Sequence, residues 1–318
     1  GLVPEDIFQQ FGIHRTVQRG SGLDGIIQHV FPLKHHQRAG LALGKGVIIA
    51  ETKEAAKTVV MDIMQAKKFG SSGNRIVIEE YLTGPEISVL SFTDGKTVKP
   101  MISSMDHKRI GENDTGLNTG GMGTVAPNPY YTEEIAAECM EKIFLPTIAA
   151  MNAEGRTFKG CLYFGLMLTK KGPMVIEYNC RFGDPEAQVV LPLLESDLLT
   201  VMQAVTEERL AETEVKFSEK NACCVIIASD GYPQNYKKGF EIFIPADLSD
   251  NVYVAGAIRK DEKLLTSGGR VLGATAVMPT LSGAIEEAYH MVDRIKFEGA
   301  YCRRDIGKKA LKAVEETR

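Results

Sequence analysis

Several things are missing from this sequence, and each absence narrows its function. No apolar run in its 318 residues approaches about 18, and no basic start leads into an apolar stretch with a small-residue cleavage site. Neither membrane insertion nor secretion is predicted, and a cytoplasmic protein is expected. Positive charge is not in excess: 37 Lys and Arg face 41 Asp and Glu, a net of -4, which excludes the broad basic footprint of a nucleic-acid-wrapping protein. Cys139, Cys161, Cys180, Cys223, Cys224 and Cys302 have no paired zinc-type spacing. All but Cys302 lie in or beside apolar runs, so they read as reduced, buried thiols. Internal repeats and low-complexity tracts are absent too, and the spacing of His14, His29, His35 and His36 fits no common metal set.

What remains is a folded globular composition, 44% hydrophobic and 25% charged, with length for about two domains. The chain reads as α+β. Val47 to Ala50 is a short strand, and Thr52 caps a helix carrying Ala55, Ala56, Val59, Val60, Ile63 and Met64 at helical spacing. Ile76 to Ile78 is a strand, and Thr93-Asp94-Gly95-Lys96 turns a hairpin from Ile87 to Ile102. A helix starts at Thr132 and runs to a kink at Pro146; a second hairpin turns at Lys170 to Gly172. Helix then extends from Pro185 to about Leu210, with Ser196 and Asp197 as caps of its second half. Beyond a boundary near Val215, strands are expected at 222–228, 240–244, 252–258 and 270–278. A helix through Ala284 and Ala288 follows, then a terminal one started by Asp305.

The 31 glycines gather in a few loops, and chemistry is sought there. Gly44-Lys45-Gly46 leads into a strand and suits an anion, though alone it reads equally as a tight turn. Asp106-His107-Lys108-Arg109 precedes a long loop ending Asn118-Thr119-Gly120-Gly121-Met122-Gly123. Cationic groups and main-chain N–H groups there suit a phosphorylated ligand; the alternative is a solvated surface loop. On a strand of period two, Glu177, Asn179 and Arg181 share a face. The first two offer hard oxygens to Mg²⁺ and the third a fork for phosphate or carboxylate; a structural Glu177–Arg181 pair is the alternative. Glu79-Glu80-Tyr81-Leu82, with Glu86 beyond, could hydrogen-bond an amine and ribose of a nucleotide, or be a solvated turn.

In this order the motifs, with Ser267-Gly268-Gly269-Arg270 and Arg303-Arg304-Asp305-Ile306-Gly307, resemble the phosphoribosylamine-glycine ligase family, ATP-grasp ligases of purine biosynthesis. The resemblance implies an ATP-grasp fold of two α+β lobes over residues 41–215, followed by a small β-rich domain over 216–318. It implies ATP and Mg²⁺ or Mn²⁺ as cofactors, with glycine and 5-phosphoribosylamine as small-molecule partners and neither nucleic acid nor membrane. Gly44, Lys45 and Gly46 would cover the phosphates, Glu79, Glu80, Tyr81 and Leu82 would hold adenine, and Glu86 the ribose. Glu177 and Asn179 would carry the metal. Asp106, His107, Lys108, Arg109, Asn118, Thr119, Gly120, Gly121, Met122, Gly123, Arg181 and Asp184 would orient the substrates, with Asp106, Lys108 and Arg181 catalytic.

Residues 1–40 do not resemble what precedes the glycine loop in the family, where an N-terminal α/β domain stands. Gln37-Arg38-Ala39-Gly40 occupies the place of the family's Lys-Ala-Asp-Gly. Gln37 lacks the charge, and Arg38 is one strand position late and so on the opposite face. One lost charge-assisted phosphate bond costs about 1.5 to 3 kcal/mol. Two expectations of different kind follow. One is an ATP-dependent ligation of glycine to phosphoribosylamine through glycyl phosphate. The other is a catalytically silent remnant of that ligase that at most binds nucleotide or a partner protein.

Overall fold

The structure is a computed structural model that describes residues 35–38, 48–50, 52–66 and 76–316. The chain divides into two compact units, Gly1–Thr83 and Gly84–Arg318. In the first, β1 (His35–Arg38) lies between β2 (Ile48–Ile49) and β3 (Ile76–Glu79), antiparallel to both. β1 falls where the sequence showed no apolar pattern, because its backbone pairs on both edges whatever its polar side chains are. Helix α1 (Lys53–Met64) starts as expected: the Thr52 hydroxyl accepts from the Ala55 N–H at 3.1 Å. Val60 and Ile63 of α1 pack with Ile78.

The second unit opens with the hairpin of β4 (Glu86–Thr93) and β5 (Val98–Pro100). Thr93 pairs with Val98, so four residues turn the chain, not two. Only Gly95 takes a positive φ, while the Asp94 carboxylate accepts from the N–H groups of Lys96 and Thr97. Next come β6 (Met105–Asp106), β7 (Arg109–Gly111), β8 (Thr115–Asn118) and β9 (Gly123–Ala126). The helix from Thr132 does not end at Pro146. It runs as α2 (Glu133–Cys139), widens to a π turn over Met140–Phe144, and continues as α3 (Leu145–Ala153). The wide turn lies just ahead of the proline, whose ring supplies no N–H.

β10 (Gly160–Thr169) and β11 (Gly172–Asn179) form the second hairpin. Pro185 to Leu210 is not one helix but α4 (Ala187–Val190) and α5 (Leu198–Thr206). Between them Leu194 turns extended and bridges Phe217, and Asp197, not Ser196, caps α5. β12 (Asn221–Ser229), β13 (Val252–Val254), β14 (Ala257–Lys260), β15 (Lys263–Thr266) and β16 (Arg270–Met278) follow. The expected strand at 240–244 is only two isolated bridges, since Ile242 and Phe243 bond to different partners, Leu264 and Lys296. The strand expected over 252–258 breaks at Ala255 and Gly256 into β13 and β14. After α6 (Leu281–Arg294) and β17 (Ala300–Tyr301), α7 spans Lys308–Glu316. Asp305 does not start it; its carboxylate is bound to Arg303 and the Asn113 N–H.

Two sheets form the body of this unit, β11-β10-β4-β5 and β13-β16-β12-β9-β6, the second with β17 beside β12. Because β9 pairs with β12, the boundary read near Val215 runs between strands of one sheet. β12 is apolar throughout because it is buried on both faces: Cys223, Val225 and Ile227 point to one core, Ala222, Cys224 and Ile226 to another. The latter core lies between the sheets, meeting Leu90, Phe92 and Tyr163. Of the thiols, Cys139, Cys223 and Cys224 are buried, but Cys180 is exposed, since it follows the last residue of β11. Burial pushes the Cys139 and Cys224 thiols up to about 12, which leaves them unreactive. Among the described residues no helix is long and apolar enough to cross a membrane.

Candidate active site

Strand register in the second unit assembles a row of polar side chains at the end of the inter-sheet core. Glu177 lies opposite Gly165, which lies opposite Ser88; Asn179 lies opposite Tyr163. Val175 pairs with Leu166, so Ile176 is an extra, bulged residue that re-aims the end of β11. The result is that Asn179 Nδ2 stands 3.4 Å from Glu177 Oε1. Gly165 makes room for this, since a Cβ there would lie 2.9 Å from Glu177 Cγ. Arg181 does not join the row. The strand ends at Asn179, and the exposed Arg181 guanidinium donates to the Phe182 carbonyl at 2.9 Å.

Lys108 reaches into the row from the other sheet, its Nζ 3.4 Å from Glu177 Oε1 and 4.0 Å from Glu86 Oε2. Burial disfavours its charge, but Tyr163, Glu177, Glu86 and Asp106 outweigh that and raise its pKa above the ordinary lysine value. It is a fixed cation. Behind it the Tyr163 hydroxyl donates to Glu186 Oε1 at 3.0 Å and meets Ser88 Oγ at 2.8 Å. Burial, reinforced by the Glu186 carboxylate, raises Asp106 well above the usual carboxylate range. Tyr163 reads as core in an apolar strand, so no local pattern marks it. Glu186, two residues beyond Asp184, is buried, and nothing in the local sequence pattern marks it.

The glycine-rich loop is less open than its sequence suggests. Its amides are already bonded: Gly120 N–H to the Tyr232 hydroxyl, Gly121 N–H to Thr119 Oγ1, Met122 N–H to the His107 carbonyl. A free N–H cradle over 120–122 is therefore not what holds a ligand. Thr119 also donates its hydroxyl to the Lys108 carbonyl, tying the two ends of the loop together. Gly121 has φ +113°, and a Cβ there would collide with Pro185 Cδ and lie 2.7 Å from Asp106 Oδ1, so the position is closed to other residues. The Met122 side chain is in the core and cannot touch substrate. Asn118 is exposed on β8, and Arg109 donates to the Gly116 carbonyl at 2.8 Å. Arg270, quoted above without a role, grips the loop. Its guanidinium donates to the carbonyls of Gly120 and Asp184, both at 2.8 Å, and pairs with the Asp184 carboxylate at 2.9 Å.

His107 is likewise turned inward. Its Nε2 accepts from the Gly307 N–H at 3.2 Å and its Nδ1 donates to the Gly123 carbonyl at 3.0 Å, so it serves the backbone and not a substrate. Desolvation, aided by Arg303, lowers its pKa from 6.5 to about 4. The folded value lies below the unfolded one. Its contribution to stability is thus complete above about pH 6.5 and is lost as the pH falls towards about 4. Denaturation at about pH 7.5 and about pH 4.5 should show His107→Asn losing some 2 to 3 kcal/mol less than the parent chain (about 1.4 kcal/mol per unit). A pH-independent difference between the two proteins would refute this.

Of the other expected site residues, Gly44, Lys45 and Gly46 lie outside the described residues. In the first unit, Glu79 closes β3 half-buried, Glu80 and Tyr81 follow exposed, and Leu82 is half-buried.

The chain matches the family model "Phosphoribosylglycinamide synthetase, ATP-grasp (A) domain" over residues 20–187 and "Phosphoribosylglycinamide synthetase, C domain" over residues 222–309. The first match thus begins within the segment that carried no motif. Over 269 residues the chain is 48% identical to phosphoribosylamine–glycine ligase of Clostridium acetobutylicum, covering 85% of this chain and 65% of that one. Over 292 residues it is 46% identical to the trifunctional purine biosynthetic protein adenosine-3 of Gallus gallus, covering 91% and 29%. It therefore spans just under two thirds of the first relative's length and under a third of the second's. The crystal structure of phosphoribosylamine–glycine ligase from Thermotoga maritima superposes with a TM-score of 0.85 at 30% identity, covering 95% of this chain and 77% of that one. The biotin carboxylase domain of Hydrogenobacter thermophilus 2-oxoglutarate carboxylase, solved with MgADP and bicarbonate, shares the fold at TM-score 0.64 and 13% identity, covering 93% and 65%. The fold is ATP-grasp, α+β as the sequence implied.

Proposed function

Because the chain belongs to the phosphoribosylglycinamide synthetase family, we propose that it joins glycine to 5-phosphoribosylamine with ATP, giving glycinamide ribonucleotide, ADP and phosphate through glycyl phosphate. The observation that carries this reading is the convergence of Lys108 with Glu177, Asn179 and Glu86 in one row. A fixed cation beside two oxygen donors suits a transferring phosphoryl group, which asks for charge neutralisation more than for acid–base chemistry.

The donor set fits an oxygen-preferring divalent ion. A carboxylate and a carboxamide lie 3.4 Å apart, and the Lys108 contact to Glu177 is also a long 3.4 Å, so neither group is locked in a tight pair. Glu177 and Asn179 would hold magnesium, or manganese in its place, and the ion when bound would neutralise phosphate charge. Among the described residues no cluster of three His, Cys, Asp or Glu competes as a metal site. Asp106, with its raised pKa, would accept a proton from the attacking amine. Arg181, exposed beyond the strand, would meet a substrate carboxylate or phosphate. Asp184, held by Arg270, would fix the loop that carries Thr119 and Gly120. Lys45 with its flanking glycines would cover the ATP phosphates, residues 79–82 would hold adenine, and Glu86 the ribose. A cytoplasmic location and the division into residues 41–215 and 216–318 belong to the same reading.

Phosphate release that requires ATP, glycine and phosphoribosylamine together is the expected result. Weak ATP binding with no turnover at saturating substrates would overturn the reading and leave a silent chain. Placement of Glu177 has its own test. Gly165→Ala puts a methyl 2.9 Å from Glu177 Cγ and is expected to weaken magnesium-dependent nucleotide binding about 10-fold in calorimetry. Unchanged affinity would show that Glu177 does not depend on that space.

A further inference from the structure

The segment Arg303 to Gly307 takes no part in the chemistry above, yet its contacts run to the loop that does. Arg303 is fully buried, at 0% exposure. Its Nε and Nη2 donate to the two oxygens of Asp305, each at 2.8 Å. Its Nη1 donates to Asp114 Oδ1 at 2.9 Å and to the Arg109 carbonyl at 3.0 Å. One planar fork therefore binds the C-terminal segment and the hairpin of β7 and β8 together, a geometry that a lysine ammonium cannot reproduce.

Neighbouring contacts act in the same direction. The Tyr301 hydroxyl donates to the Ile110 carbonyl at 2.8 Å, the Asn113 N–H donates to Asp305 Oδ2 at 2.8 Å, and Lys309 pairs with Asp114. At the hairpin tip Asn113 and Asp114 take φ values of 54° and 53°, left-handed conformations that asparagine and aspartate tolerate better than other non-glycine residues. The hairpin leaves the site at Lys108 and returns at Thr119, whose hydroxyl and N–H both donate to the Lys108 carbonyl at 2.8 Å. A shift of the hairpin would therefore be felt at Lys108.

We infer that Arg303 is a positioning residue for the substrate loop: by clamping Asp114 and the Arg109 carbonyl it sets the hairpin from which Lys108 and Thr119 project. This rests on the ligase reading, in which that loop orients glycine and phosphoribosylamine while other residues hold ATP. The dependence on Arg303 falls on the two small substrates through Thr119 and on turnover through Lys108, while the residues assigned to hold ATP lie outside the hairpin.

The test compares the parent chain with Arg303→Lys and, on the hairpin side, Asp114→Asn, which retains shape and removes the charge that pairs with both Arg303 and Lys309. Steady-state kinetics and hydrogen exchange of residues 110–117 are measured on each. Both variants are expected to exchange faster over 110–117 and to raise the KM for glycine or phosphoribosylamine about 10-fold. The KM for ATP should stay within about twofold. Unchanged exchange over 110–117, or a rise in the ATP KM matching the others, overturns the inference while an active parent leaves the ligase reading standing. An inactive parent overturns the ligase reading and this inference with it.

Discussion

Glu177→Gln is expected to reduce magnesium-dependent turnover at least about 100-fold, since loss of a coordinating carboxylate should exceed the 10- to 100-fold typical of outer-shell changes. The substitution preserves volume and removes one charge. Glu177 is partly exposed and its contacts to Lys108 and Asn179 are both 3.4 Å, so its replacement should leave the fold intact. The site is then left with two neutral carboxamide oxygens, too little for a hard divalent ion that relies on carboxylate charge. Calorimetry of nucleotide with and without magnesium separates this from a general loss of binding. If magnesium still strengthens nucleotide binding as it does in the parent chain, Glu177 is not its ligand.

Lys108→Met should be comparably severe, with turnover falling about 10²- to 10³-fold, the range seen when one pre-organised donor to developing negative charge is removed. Lys108 is the cation shared by Glu177 and Glu86, and its field also reaches Asp106. Without it Asp106 loses the positive charge that favours its ionised form, so its pKa rises further. The acid limb of the pH–rate profile should accordingly move to higher pH in the variant, as residual activity then requires deprotonation against stronger repulsion. Turnover within about threefold of the parent, or an unmoved acid limb, would show that the Lys108 charge is not used.

Much of the fold was legible because its signals are local. Thr52, Thr132 and Asp197 cap helices where a short polar side chain precedes an apolar period. β12 and β16 fall where apolar runs of β-branched and small residues end at glycine turns. Errors occurred where pairing came from afar. β1 has no apolar pattern and exists through its neighbours' backbones, while the run at 240–244 has the pattern and lacks a continuous partner. Around the site, residue identity was visible and orientation was not. His107 sits in the same motif as Lys108 yet points into the core, because β6 and the residues behind it alternate their side chains between interior and cleft, and Met122, just ahead of β9, is buried as well. Arg181 was assigned to the face of Glu177 by a period that stops two residues earlier.

The order and chemistry of the motifs, and with them the family, are properties of the linear chain: residue types at short spacing are written there without reference to the fold. The meeting of Lys108 with Glu177 across two sheets, and the Arg303 clamp on Asp114 almost 190 positions away, belong to tertiary structure alone. So does the bond from the Gly120 amide to the Tyr232 hydroxyl. Short-range periodicity decides which elements form. Which side chains then share a volume depends on strand register, a bulge at Ile176 and a missing methyl at Gly165, and these act only once distant strands have paired.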